Sequence, residues 1–343
     1  LAVAPITPLL YLKLWVGVAM LLFYWVILKP PATDKALQDT NSFHASRFRV
    51  AAIIFSLWLI GVYSAWSHLI DIKVTDNERL TIPDNAYLRG RPLNTDSGLL
   101  YVAMLPDGYR VLRGNALFSD AHHEGGAAMD ELSFTASSSG EDLWVEVASR
   151  EGSRLVHFIS GAPDPAPCSI GDAEYPMLSV DGSALAFLRE DHGRGSLWMV
   201  DPRDCAAHGG NLSPMKLTSP SYDVRTVGAG TSDIFLISAV YQNRERIFTV
   251  SHGGPPQLLV DDDGAVNSPA LSPDGKLLVM SKLVSQRWQL VSRDLSSGEW
   301  KQLTHGDCNA YTPSWKDRRT LLYATDCMRG LGLTALASLK IDK

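Results

Sequence analysis

The chain has 343 residues, 45% of them hydrophobic and 20% charged, with a formal net charge of −6 and four cysteines. The acidic excess is spread without long blocks and no basic patch stands out, which argues against a nucleic-acid partner, because phosphate binding needs clustered Lys and Arg. The apolar excess is concentrated in residues 1–70; from residue 71 onward the chain reads as a domain rich in Gly, Pro, Ser and Asp, built of short apolar runs.

Two segments near the start predict transmembrane helices. Residues 9–28 are apolar apart from Lys13, which sits near one end and can snorkel to the interface. Val50 to Ile70 gives 21 residues without Asp, Glu, Lys or Arg, and a helix of that length spans about 31 Å, enough for the hydrocarbon core. Tyr63 and Trp66 fall toward its Asp71 end, where aromatic rings meet the interface. A secretory leader has a shorter apolar core and no second span behind it, so both segments read as retained. A buried helical hairpin of a soluble protein is the competing reading.

The loop between them, residues 29–49, carries Lys29, Lys35, Arg47 and Arg49 against Asp34 and Asp39. The positive-inside bias places this loop in the cytoplasm and everything after Ile70 outside it. Gly17 and Ala19 in the first segment, and Gly61, Ser64, Ala65 and Ser67 in the second, are small residues of the kind that let membrane helices approach closely.

Beyond residue 76 the chain repeats. The clearest unit runs Pro269-Ala-Leu-Ser-Pro-Asp-Gly-Lys-Leu-Leu-Val-Met280, a turn between two short strands. Related units begin at Pro176 and Pro313, and degenerate turns occur at Ser137–Gly140 and Thr95–Gly98. Pro176 and Pro269 stand 93 residues apart, two periods, and Pro269 and Pro313 stand 44 apart. Such a period, with several short strands in each unit, is the size of a four-stranded propeller blade.

A second marker, Lys216-Leu-Thr and Gln302-Leu-Thr, with a looser copy at Gln257-Leu-Leu, reads as the outer strand closing a blade. The same triplet occurs at Arg79-Leu80-Thr81, while the final unit supplies only three strands. Residues 77–81 are therefore expected to pair with the C-terminal blade near Gly332–Leu339 and close the ring. The predicted organisation is a membrane anchor over residues 1–76 followed by an all-β six-bladed propeller over 77–343. Closure matters because an open array leaves unpaired strand edges.

The Ser-Pro-Asp-Gly turn after a Pro-x-x strand, followed by two further strands and a closing x-Leu-Thr, resembles the six-bladed repeats of the periplasmic TolB protein and its WD-repeat-like bacterial relatives. The resemblance is sharp over residues 176–200 and 265–343 and weak over 82–160 and 219–250. It implies a protein-binding platform in a bacterial envelope assembly, or a sensor or gating domain. It carries over no functional residue, because the shared motif is a structural turn.

All four cysteines lie in the propeller region, and an even number in an exported domain favours disulfides. Cys308 precedes the innermost strand of the last blade and Cys327 follows the next strand, so antiparallel pairing brings them together. Cys168 and Cys205 then pair by elimination. Zinc is the rival, without the usual C-x-x-C or H-x-x-x-H spacing.

Catalytic signals are sparse. His122-His123-Glu124 sits in a Gly-rich loop with no third ligand nearby. Asp261-Asp262-Asp263-Gly264 lacks the alternating oxygen ligands of a calcium loop and fits a blade-to-blade turn. No G-x-S-x-G elbow of an appended hydrolase domain is present. Arg194-Gly-Ser and Arg329-Gly-Leu read as blade turns.

The leading expectation is a non-catalytic accessory or scaffold subunit of a membrane complex of electron-transfer, photosynthetic, transport or export type. It would sit in a bacterial inner membrane with the propeller on the periplasmic side. Its expected partners are integral membrane proteins and membrane lipid, with no cofactor, metal or small-molecule substrate. The alternatives are a sensor whose signalling module lies upstream of Leu1 and, less favoured, an enzyme using the propeller channel, since a fold alone supplies no chemistry. A reporter after Lys343 should be accessible from outside the cytoplasm and one in the 29–49 loop only from within; reversed labelling overturns the topology.

Overall fold

The computed structural model describes residues 77–79, 87–106, 108–118, 130–150, 152–160, 162–163, 168–207, 212–230, 234–327 and 333–341. The segments 9–28 and 50–70 with Gly17, Ala19, Gly61 and Ala65, the 29–49 loop, Leu80, Thr81, His122–Glu124 and Arg329 lie outside the described residues. The chain divides between Thr75 and Asp76, and all the described structure belongs to the second unit, Asp76–Lys343. Among the described residues no helix is long and apolar enough to cross a membrane.

Strand β1 (Asn77–Arg79) comes first in the chain and last in the architecture. Blade 1 is β2 (Tyr87–Thr95), β3 (Gly98–Leu105), β4 (Gly108–Arg113) and β5 (Ala116–Leu117). Blade 2 is β6 (Asp130–Ala136), β7 (Asp142–Ser149), β8 (Gly152–Ile159) and β10 (Ser169–Gly171), with β9 (Ala162–Pro163) beside β8. Blade 3 is β11 (Glu174–Leu178), β12 (Leu185–Asp191), β13 (Arg194–Val200) and β14 (Met215–Lys216), with the short helix α1 (Asp204–Ala207) before its last strand.

Blade 4 is β15 (Asp223–Ala229), β16 (Ile234–Tyr241), β17 (Arg244–Ser251) and β18 (Gln257–Asp261). Blade 5 is β19 (Val266–Leu271), β20 (Leu277–Val284), β21 (Arg287–Asp294) and β22 (Trp300–Gln302). Blade 6 is β23 (Ala310–Trp315), β24 (Thr320–Thr325), β25 (Ala335–Lys340) and β1, whose register is Asn77 with Leu339, Glu78 with Ser338 and Arg79 with Ala337. The fold is a six-bladed antiparallel β-propeller.

Six apolar clusters, one at each seam between neighbouring blades, make up the core. Phe134, Leu143 and Phe158 of blade 2 meet Leu100, Val102 and Val111 of blade 1; Leu88, Tyr101 and Leu112 of blade 1 meet Leu322, Ala324 and Leu336 of blade 6. Each sheet is therefore covered on both faces. This explains why its second strands, such as β16 (IFLISAVY) and β20 (LLVMSKLV), read as near-continuous apolar runs instead of alternating.

The repeated turn is a hydrogen-bonded device. Ser272 Oγ donates to Asp274 Oδ1 (2.7 Å) and accepts from Leu277 N–H (2.9 Å), while Gly275 N–H donates to Ser272 O (2.8 Å). The copy at Ser179–Gly182 matches it: Ser179 Oγ donates to Asp181 (2.7 Å) and accepts from Ala184 N–H (2.9 Å). Gly182 and Gly275 hold φ of 71° and 72°, the left-handed region that favours glycine. Hydrogen bonds from Ser179 and Ser183 pull the Asp181 carboxyl down to about 2.

Each marker opens in an outer strand, as expected: β14 ends at Lys216 and β22 at Gln302, with Leu-Thr just past the end, and the looser copy Gln257-Leu-Leu lies inside β18. The threonine turns back to satisfy the third strand. Leu197 N–H donates to Thr218 Oγ1 (2.9 Å) and Leu290 N–H to Thr304 Oγ1 (2.8 Å), with both threonines buried. A short outer strand leaves that amide without a ladder partner, and the hydroxyl supplies one.

Both cysteine pairs are joined. Cys308–Cys327 links the start of blade 6's first strand to the end of its second, with Cα atoms 5.1 Å apart. Cys168–Cys205 connects the chain before β10 in blade 2 to α1 in blade 3, with Cα atoms 5.9 Å apart. Replacing Thr304 with Val, which keeps the shape and removes the hydroxyl, leaves Leu290 N–H buried without an acceptor and should lower unfolding stability by about 1–3 kcal/mol. Chemical denaturation measures this; an unchanged midpoint would deny the hydroxyl its structural part.

Candidate functional site

The first strands of the six blades line the central channel, and every one of them is bulged. In five blades the first strand carries one extra residue opposite its neighbour, as between Glu174 and Met177 or Asn267 and Ala270. In blade 1 the pairing advances from Arg89 to Leu93 along β2 while advancing only from Val102 to Leu100 along β3, so two residues are extra. In blades 3, 5 and 6 the residue before the strand proline, Tyr175, Ser268 or Thr312, has a positive φ. In blade 1 the positive φ belongs to Gly90, and Arg91 is inserted between it and Pro92.

That insertion sends Arg91 across the channel. Its Nη2 donates to the backbone oxygens of Val227 (3.1 Å) in blade 4 and Pro269 (3.3 Å) in blade 5, and its Nη1 to the Met177 sulfur (3.6 Å) in blade 3. Blade 4 stands opposite blade 1 in a ring of six, so one side chain spans the channel. Gly228 permits the approach: a Cβ there would lie 2.1 Å from Pro269 O and 3.4 Å from Arg91 Nη2. Burial lowers the Arg91 guanidinium to about 10, which leaves it charged at neutral pH.

Several hydroxyls on the other first strands are committed to neighbours. Ser133 Oγ donates to Glu146 Oε2 (2.5 Å). Thr226 Oγ1 bonds Ser238 Oγ (2.6 Å) and accepts Ser268 N–H (3.0 Å). Thr312 Oγ1 donates to Gly90 O (2.7 Å), and Ser314 Oγ donates to Pro92 O. Among the described residues no carboxylate forms an ion pair with Arg91.

At the channel mouth formed by the starts of these strands, Arg89 stacks 4.9 Å over the Tyr109 ring. Glu146 accepts the Tyr175 N–H (3.0 Å). Burial, with the nearby Glu146 and Glu190, raises the Glu174 carboxyl above its ordinary value, and Arg89 partly opposes this.

The residues singled out in sequence do not assemble with Arg91. Asp261, Asp262 and Asp263 are spent on cations: Arg246 Nε donates to Asp261 (2.9 Å), Lys282 Nζ to Asp262 (2.7 Å), and Arg244 pairs with Asp263. Asp262 also accepts Gly264 N–H (2.8 Å), closing the turn between blades 4 and 5. Arg194 opens β13 after a hairpin turn. Among the described residues no group of three or more His, Cys, Asp or Glu could hold a metal ion. Arg91 was missed in sequence; the signal was Gly90-Arg-Pro92, one residue longer than the x-Pro of the related strands.

The channel and ring have structural counterparts. The chain is similar to the crystal structure of TolB from Acinetobacter baumannii, at 15% identity and TM-score 0.53, covering 92% of this chain and 69% of that one. In fold the propeller is TolB-like. It is also similar to a puromycin-hydrolyzing peptidase of Mycobacterium tuberculosis, at 17% identity and TM-score 0.54, covering 74% of this chain. The match spans only 45% of that peptidase's length. An oligogalacturonate lyase in complex with manganese aligns at 12% identity and TM-score 0.52, over 80% of this chain and 95% of that one. No protein-family model matches the chain, and no curated protein matches it in sequence.

Gly228→Ala forces a methyl against the Pro269 carbonyl and should cost about 1–3 kcal/mol of stability through overpacking. Equal denaturation midpoints for the variant and the unaltered protein would show that blades 4 and 5 are not held this closely.

Proposed function

We infer that this protein is an accessory or scaffold subunit of a membrane complex, anchored by its two apolar segments in a bacterial inner membrane, with the propeller as a rigid periplasmic docking body. The observation that carries this reading is an exposed apolar set on one face. Met104 near the end of β3, Leu283 near the end of β20, Leu333 just before β25 and Tyr175 at the start of β11 are each at least 40% exposed. Antiparallel order puts the starts of first strands, the ends of second strands and the starts of third strands at the same end of every blade.

That face is stiff. The hairpins Gln242–Asn243 and Ser285–Gln286 place both central residues at positive φ, the tight turn that matches strand twist. Cys308–Cys327 pins blade 6 there. Exposed apolar side chains held on paired strands suit protein partners, because little ordering entropy is lost on binding. Only residues 71–76 separate the second apolar segment from β1. This short connection favours a partner that is itself an integral membrane protein, contacted through Gly61 and Ala65 as well as through the propeller.

Two disulfides fit an oxidising, extracytoplasmic compartment. The absence of turnover is part of the proposal.

A photo-crosslinker placed at Met104 or Leu283 should capture an integral membrane partner from intact cells. Replacing Leu283 with Asp should weaken that association by about 1 kcal/mol or more with the propeller still folded. Gly61→Leu with Ala65→Leu should reduce co-purification in mild detergent. A lone monomer showing hydrolase or lyase turnover, with no crosslinked membrane protein, overturns the reading.

A further inference from the structure

Arg91 is the exception in the channel. The Ser133, Thr226, Thr312 and Ser314 hydroxyls of the inner strands end on neighbours, but the Arg91 guanidinium ends only on two carbonyls and a thioether, none of which carries charge. Nη2 has both hydrogens engaged and Nη1 has one; the other Nη1 hydrogen and Nε–H have no partner among the described residues. Arg91 as a residue is half-buried. A net charge of −6 for the whole chain makes this local positive centre stand out further.

Electrostatics then favours an anion. Low-dielectric walls focus the field of an unpaired charge into the space that remains, and a counter-ion there meets an unused N–H donor. One positive charge is balanced by one negative charge, so a carboxylate suits the site better than a doubly charged phosphate.

We propose that the propeller channel is a binding site for a carboxylate group, held by the charge and an unused N–H donor of Arg91. The carboxylate is either a free small acid or the tip of a longer ligand reaching in from a channel mouth. The interaction is one of charge and hydrogen bonding. This site is independent of the membrane partner: it stands or falls whether or not a complex co-purifies.

The test is thermal denaturation of the full chain in detergent micelles, with sodium acetate, sodium hexanoate and sodium phosphate each compared with sodium chloride at equal ionic strength. A ligand that binds only the folded ring raises its midpoint saturably. Acetate alone raising it assigns a free small acid; hexanoate binding more tightly assigns the tip of a longer ligand. Arg91→Met should weaken the apparent affinity by about tenfold or more, the worth of hydrogen bonds to a charged group.

No saturable shift with either carboxylate overturns the proposal. So does an equal shift in Arg91→Met, or phosphate acting as strongly as both. Should that variant fail to fold, the unaltered protein decides: one arginine 15Nε resonance moving saturably with acetate supports the site, and none moving refutes it.

Discussion

Closure of the ring between blades 6 and 1 is the constraint on which the rest of the propeller depends. Each blade is a sheet with two apolar faces, so none is stable with only one neighbour. Five seams join blades consecutive in sequence; the sixth must join the two ends of the domain. It does so at three levels. On the outside β1 completes blade 6. In the middle Leu88, Tyr101 and Ala103 pack on Leu322, Ala324 and Leu336. Near the axis Leu88 N–H donates to Thr334 O (3.1 Å), and the Thr312 and Ser314 hydroxyls donate to Gly90 O and Pro92 O.

The innermost level of that seam also places the channel arginine. Thr312 and Ser314 hold the carbonyls on either side of Arg91, so the double bulge of β2 cannot relax back toward its own sheet. The inserted residue is left pointing at the opposite blades. The same contacts that close the ring therefore position the Arg91 charge, and the site could not exist in an open array of blades.

Much of the architecture was legible because repeats report local chemistry. Ser272-Pro-Asp-Gly275 and Ser179-Val-Asp-Gly182 announce themselves through residues whose side chains close their own turn. The Leu-Thr marker was visible for a further reason besides the outer strand it opens in: Thr218 and Thr304 are kept by a buried amide of the third strand. The cysteine pair Cys308–Cys327 followed from strand order alone. Cys168–Cys205, which crosses from blade 2 to blade 3, depends on where a four-residue helix falls and could be reached only by elimination. The channel site was hidden because its partners, Met177, Val227 and Pro269, are apolar in sequence and act through a sulfur and two backbone oxygens. No side-chain pattern records a carbonyl aimed at an axis.

Arginine, and not lysine, is the residue this geometry requires. Two carbonyls from adjacent blades converge on one nitrogen, Nη2, which a planar guanidinium can satisfy while its other nitrogen reaches Met177. An ammonium carries its three donors on one nitrogen at the end of a shorter stem, so it has no second nitrogen to reach Met177 while the first meets the carbonyls. Burial acts differently on the two groups as well. A guanidinium brought down to about 10 remains a cation throughout the physiological range, whereas a lysine starts lower and readily neutralises when desolvated. A lysine here could shed its proton and become a neutral plug; the arginine cannot, so the channel keeps a permanent positive charge that only solvent or an anion can balance.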